Sequence, residues 1–159
     1  MGFQTQVNAQ QAPAVAGDFA SSNPRASVVA PEGGFVAGSG GVNVGTFAWA
    51  QSDGTVLNSD ASAKPTGFVH REQQAFITAY LAEASNNVPQ GQPVTLMRTG
   101  DYYFKANTNA AVVGQKVFAK LADGTTRTAA AGATVAGYVE TAFVVSQACG
   151  SGELGVMTL

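Results

Sequence analysis

Several short stretches of this chain alternate apolar and polar residues with a period of two, the spacing that sends successive side chains to opposite faces of a β-strand. The clearest spans residues 134–146, where Val135, Val139, Phe143 and Val145 share one phase. Val94 and Leu96 oppose Thr95 and Met97, Tyr102 and Phe104 oppose Tyr103 and Lys105, and Val117, Ala119 and Leu121 oppose Phe118 and Lys120. Each predicts a strand. Residues 42–51 read as one more, whose phase switches from Val42 and Val44 to Phe47 and Trp49 with Gly45 between them, which predicts a bulge at the glycine. Asp53-Gly54 and Asp123-Gly124 lie between apolar runs and predict two-residue hairpin turns. Gly91-Gln92 and Gly114-Gln115 each stand just ahead of a strand and predict two similar turns into a sheet. Residues 58–67 have no apolar period and contain Lys64-Pro65, so they predict a loop. Helical spacing occurs over residues 71–84, where Phe76 and Tyr80, and Ile77 and Leu81, lie four apart.

The apolar composition points the same way. The chain holds 19 Val against six Leu and one Ile, so the branched strand former outnumbers the favoured helix former. Many short strands between Gly, Pro and Asp-Gly signals predict an all-β fold, an antiparallel sandwich or barrel of jelly-roll-like kind with at most one short helix. At 159 residues one core is expected. Residues 1–34 carry only two large aromatics, Phe3 and Phe19. Such a stretch offers too little apolar surface to offset its own ordering entropy. The expected organisation is an extended N-terminal arm over residues 1–27 and a single β domain over residues 28–159.

Charge narrows the function classes. Charged residues are 11% of the chain and its net charge is -2. Arg25 is the only cation before Lys64, so no basic stripe is available to neutralise a run of phosphates, and direct nucleic-acid binding is not expected. No stretch approaches 18 consecutive apolar residues, and the N-terminus lacks a basic region followed by an apolar one, so neither a membrane span nor a secretory signal is expected. Synthesis in a cytoplasm follows as an expectation. The single Cys149 leaves no internal disulfide and reads as a small packed filler.

The search for chemistry finds little. His70 is the only histidine, and Glu72 lies two residues on, which in an extended strand puts both on one face. No nucleophile or metal-ligand spacing accompanies them, so His70 reads as structural or interfacial, and no catalytic, cofactor-binding or metal-ligating residue is assigned. Gly33-Gly34 and Gly38-Ser39-Gly40-Gly41 lack the Lys-Ser/Thr of a phosphate loop and read as flexible turns. Tyr102-Tyr103-Phe104 could stack sugars or bases, but reads first as core or subunit contact.

Two blocks carry a likeness. One runs Ala14-Val15-Ala16-Gly17-Asp18-Phe19-Ala20-Ser21-Ser22-Asn23-Pro24-Arg25-Ala26-Ser27-Val28, and the other Gly67-Phe68-Val69-His70-Arg71-Glu72-Gln73-Gln74 with Tyr80-Leu81-Ala82-Glu83-Ala84-Ser85. With Pro93-Val94-Thr95-Leu96, Gly100-Asp101, Gly114-Gln115-Lys116, Ala122-Asp123-Gly124 and Gly152-Glu153-Leu154 in similar order, the chain resembles the capsid cement, or decoration, proteins of tailed bacteriophages over nearly its whole length. The resemblance implies an all-β, non-enzymatic protein on the outside of a mature icosahedral shell, tying neighbouring capsomers together. It implies the major capsid protein and further copies of the chain as partners, with a homotrimer expected ahead of a homodimer.

That reading gives the arm a task. An extended chain advances about 3.3 Å per residue, so some 25 residues can reach roughly 80 Å. Asp18, Asn23 and Arg25 can satisfy a partner's backbone and carboxylate groups, with Pro24 among them and Phe19 as the apolar anchor. These five are the expected capsid or subunit contacts. Two other uses for the same residues stand beside this: an N-terminal strand of the same subunit, and a loose tail. Two other functions also stand beside it, a receptor- or glycan-binding module on a virion surface using Tyr102, Tyr103 and Trp49, and a small hydrolase around His70 and Glu72.

Overall fold

The structure, a computed structural model, describes residues 13–61, 63–72, 80 and 85–159. Strands β9 (Tyr102–Lys105), β10 (Lys116–Lys120), β11 (Thr126–Ala129), β12 (Tyr138–Gln147) and β13 (Leu154–Thr158) form an antiparallel sheet in the order β11-β10-β12-β13-β9. Strands β1 (Ala26–Ser27), β2 (Val36–Ala37), β4 (Phe47–Ala50), β5 (Thr55–Leu57), β6 (Gly67–Val69) and β8 (Leu96–Thr99) form a second in the order β1-β8-β6-β4-β5-β2. Strands β3 (Val42–Asn43) and β7 (Asn87–Val88) pair apart from both. The fold is all-β and sandwich-like, as the period-two pattern predicts, with one departure from antiparallel pairing: β2 runs parallel to β5.

Two apolar clusters hold these layers. Phe47, Phe68 and Met97 of the six-stranded sheet meet Tyr102, Phe104, Val117, Phe143 and Met157 of the five-stranded one. On the other phase of the same strands, Ala48, Val69 and Leu96 pack with Val42, Val56 and Val88. β4, β6 and the first half of β8 are therefore buried on both faces, so Phe47, Ala48 and Trp49 are all inside and a clean alternation cannot exist there.

Three expectations need correction. Residues 42–51 are not one bulged strand: Gly45, at φ 75°, turns the chain out of β3 and into β4, which belong to different sheets. Both Asp-Gly pairs do join antiparallel strands, β4 to β5 and β10 to β11, but their loops are longer than two residues. Gln51 N–H reaches Thr55 O and Lys120 N–H reaches Thr125 O, because Asp53 and Asp123 turn their carboxylates onto the N–H and hydroxyl of Thr55 and Thr125. The strand expected over residues 134–146 begins at Tyr138, after a turn with Gly137 at φ 76°.

Other details follow the pattern. Gly91 and Gly114 both take positive φ in turns closed by Gln92 N–H to Pro89 O and Gln115 N–H to Val112 O. Of the loop expected at residues 58–67, residues 58–61 and 63–66 are loop and Gly67 opens β6, residue 62 lying outside the described residues. The helical spacing at residues 71–84 falls mostly on residues outside those described.

Candidate functional site

The segment from Val15 to Ser27 crosses the edge of the sandwich as a strap. Gly17 N–H donates to Tyr103 O at 2.8 Å, Tyr103 N–H to Asp18 O at 3.0 Å, and Ala20 N–H to Asp101 O at 2.9 Å. Phe19 thereby bridges Tyr102 antiparallel, and the strap extends the five-stranded sheet beyond β9. Further along, Ala26 and Ser27 pair with Thr99 and Met97 as β1. Glycine is required where the strap passes β3: a Cβ on Gly45 would stand 2.7 Å from the Ala16 backbone.

Two side-chain clusters fasten it. Phe19 lies between the Arg25 guanidinium, 3.6 Å from its ring centroid, and the His70 ring, stacked at 3.8 Å. Two groups that close to one ring must occupy its opposite faces. His70 Nδ1 is 2.8 Å from Gly17 O, an acceptor only, so that nitrogen carries the proton. Gly17 O also accepts from Arg71 N–H at 3.0 Å, while Arg71 Nη1 reaches both Asp18 carboxylate oxygens at 3.2 Å. Asp18 Oδ2 in turn accepts from Val15 N–H at 2.9 Å.

Asp101 is the second fastening. Its Oδ2 accepts from Ser21 Oγ at 2.6 Å and from Asn23 Nδ2 at 2.6 Å, and its Oδ1 accepts from the Thr158 hydroxyl. Hydrogen bonds from the Ser21 hydroxyl foremost, then from the Thr158 hydroxyl and the Asn23 side-chain amide, hold the Asp101 carboxyl below the usual carboxylate range. Tyr102 is fully buried beneath, its hydroxyl donating to Thr99 O at 2.8 Å. Burial pushes its phenol up to about 12.

The structure thus brings four of the five expected contact residues together, but in contacts with their own subunit: Asp18 on Arg71, Phe19 in its stack, Asn23 on Asp101 and Arg25 over Phe19. Pro24 is exposed, as are the side chains of Asn23 and Arg25 that flank it. Sequence reasoning missed Ser21, Asp101, Thr158 and Arg71. The one available signal was Asp101 itself, an acid directly after a glycine between two apolar strands.

The other candidate chemistries fare differently. Trp49 and Tyr102 are buried at 2% and 0% exposure, so neither presents a face to a sugar. His70 is engaged with Gly17 and Phe19, while Glu72 is exposed. Cys149 is half-buried, bridges Ala111 and packs against the first apolar cluster; burial raises its thiol, as fits a filler. Among the described residues no three His, Cys, Asp or Glu side chains converge as metal ligands.

Comparison with known proteins places this architecture. The family model described as XM1 gp53 minor capsid protein matches residues 3–155. A solved structure, the capsid of Myoviridae Phage XM1, holds a chain that is similar in fold at TM-score 0.66 and 20% identity, over 99% of this chain and 97% of that one. No curated protein matches the sequence.

Proposed function

This chain belongs to the XM1 gp53 minor capsid protein family, and from its structural role in a phage capsid we propose that it is a cement protein, bound to the outer surface of the mature shell and bridging neighbouring capsomers. The observation that carries this is the family match over nearly the whole chain, joined to a strap whose inner side is fastened and whose outer side is open. Residues 22–27 are all exposed while Phe19, Ser21 and Asn23 hold them in place. A partner that binds them meets a segment whose ordering entropy is already spent.

In this reading the described part of the arm expected over residues 1–27, residues 13–27, acts on the shell together with the domain of residues 28–159. Asp18 and Phe19 fix the strap, and Asn23, Pro24 and Arg25 offer their outer sides to the major capsid protein or to a sister subunit. A homotrimer is the favoured assembly and a dimer the alternative, since either makes later shell contacts intramolecular and raises avidity by ~10²–10⁴. The chain is made in the host cytoplasm and acts without catalysis. Binding the expanded shell and not its precursor stabilises the expanded state by mass action.

The test adds purified protein to particles stripped of it and measures occupancy on expanded and unexpanded shells, together with the temperature of shell rupture. Saturable binding to expanded shells with a higher rupture temperature supports the proposal; equal binding to both states, or none, overturns it. Pro24→Glu is expected to lower occupancy without changing the stability of the free protein.

A further inference from the structure

Two large sheets have four edges, and among the described residues three are covered by this chain's own groups. The strap covers β9. Beside β11 the Asn109 side-chain amide donates to Thr128 O at 3.0 Å and accepts from Thr128 N–H at 3.4 Å, standing where a peptide group of a further strand would stand. β2 is closed by residues 92–94: Ala37 N–H donates to Gln92 O at 2.8 Å and Val94 N–H to Phe35 O at 3.0 Å. An uncovered edge is a template for another strand, and such covers are the usual remedy.

Among the described residues β1 has no cover of this kind. Val28 N–H donates inward to Leu96 O at 2.8 Å, so by the alternation of an antiparallel ladder the N–H and C=O of Ser27 and Val29 face away from β8. Ala26, Ser27, Val29 and Ala30 are exposed, Val29 at 92%. Residues 26–31 carry no charge, and they are bounded by Arg25 on one side and Glu32 on the other.

We propose that this edge pairs with the same edge of a second copy, antiparallel about a two-fold axis at Val28. The outward groups fix that register. Ser27 of each copy lies opposite Val29 of the other and exchanges both backbone hydrogen bonds with it, and the two Val28 residues face each other as a pair that shares none. The run also ends favourably, because in this register each Arg25 lies opposite the other copy's Pro31 and each Glu32 opposite its Pro24, so no like charges meet across the axis. A third reason selects a copy of the same chain: an isologous contact needs a self-complementary surface, and a short uncharged run with a cation at one end and an acid at the other is one.

So few residues bury far less than the roughly 1,200 Å² of a stable complex. The pairing persists where copies are held side by side, and here it rests on the proposed shell binding; across a two-fold position it would link one oligomer to the next.

The test is a full-length Val28→Cys chain in a Cys149→Ala background, oxidised on decorated particles and, separately, in concentrated solution. Facing residues that share no hydrogen bond sit about 4.5 Å apart at Cα, within disulfide range. A covalent homodimer is expected on particles in high yield and in solution in lower yield. Adding Val29→Pro removes the outward N–H and is expected to abolish it.

Decorated particles without dimer overturn the pairing and leave the cement reading standing. So does a yield no higher than from the exposed control Val113→Cys, or a covalent product with a shell protein. Dimer in solution with no affinity for shells supports the pairing and overturns the cement reading.

Discussion

Replacing Phe19 by Ala tests whether the strap is held by its one aromatic. Truncating a fully buried Phe costs about 3–5 kcal/mol. Phe19 is half-buried, so roughly half of that applies, about 2 kcal/mol, and loss of the stack with His70 and of the Arg25 contact adds ~1 kcal/mol. The strap bonds should therefore weaken by about 2–3 kcal/mol, equivalent to roughly a fiftyfold rise in local opening. The readout is native-state hydrogen exchange at the Tyr103 amide, whose acceptor is Asp18 O in the strap. Exchange there should accelerate by that factor, while amides between β10 and β12 change less, since Phe19 touches neither strand through its ring contacts. Unaltered Tyr103 exchange together with global stability within ~0.5 kcal/mol of the parent would refute the assignment of Phe19 as anchor.

Other outcomes follow from the same geometry. Asp101→Ala leaves Ser21, Asn23 and Thr158 without their shared acceptor and should cost about 1–2 kcal/mol in denaturant melts, less than full burial would imply because the site is partly open. Since the Asp101 carboxyl is depressed in the folded state, its contribution is present above the ordinary value of 3.8 and is lost as pH falls through the lower folded value, so strap-specific proteolysis should rise in that acid range. Tyr102 works in the opposite direction: its phenol is raised to about 12, so the unfolded chain ionises first and stability falls as pH climbs past 10, seen as one of four tyrosines resisting alkaline spectrophotometric titration. Gly45→Ala puts a methyl against the Ala16 backbone at a positive φ and should destabilise by about 1–3 kcal/mol, measured by thermal melting.

Much of the fold was legible because period two is a local property. β9, β10 and most of β12 follow directly from which residues share a phase. The places where the pattern fell short have physical reasons. β4 and β6 are buried on both faces, so Phe47-Ala48-Trp49 gives no alternation, and Gly45 marks a change of sheet with the same residue type that would mark a bulge. The strap was legible only as a stretch too poor in apolar surface to fold alone. That it docks through backbone bonds, with Phe19 as its single aromatic, depends on β9, about 80 positions away, which no local pattern encodes. Asp101 was hidden for the same reason, its three partners lying at Ser21, Asn23 and Thr158.

That separation governs time as well as energy. Ser21 and Asp101 are 80 residues apart and Asp101 and Thr158 are 57 apart, so the fastening closes only after β8, β9 and β13 have met. Long-range closures are late events in assembly of a β fold. Contacts made late are absent from the folding transition state, and weakening them speeds unfolding while leaving the folding rate nearly unchanged. Weakening the strap is therefore expected to raise the unfolding rate while leaving the folding rate nearly unchanged, so its fastening bears on persistence more than on formation.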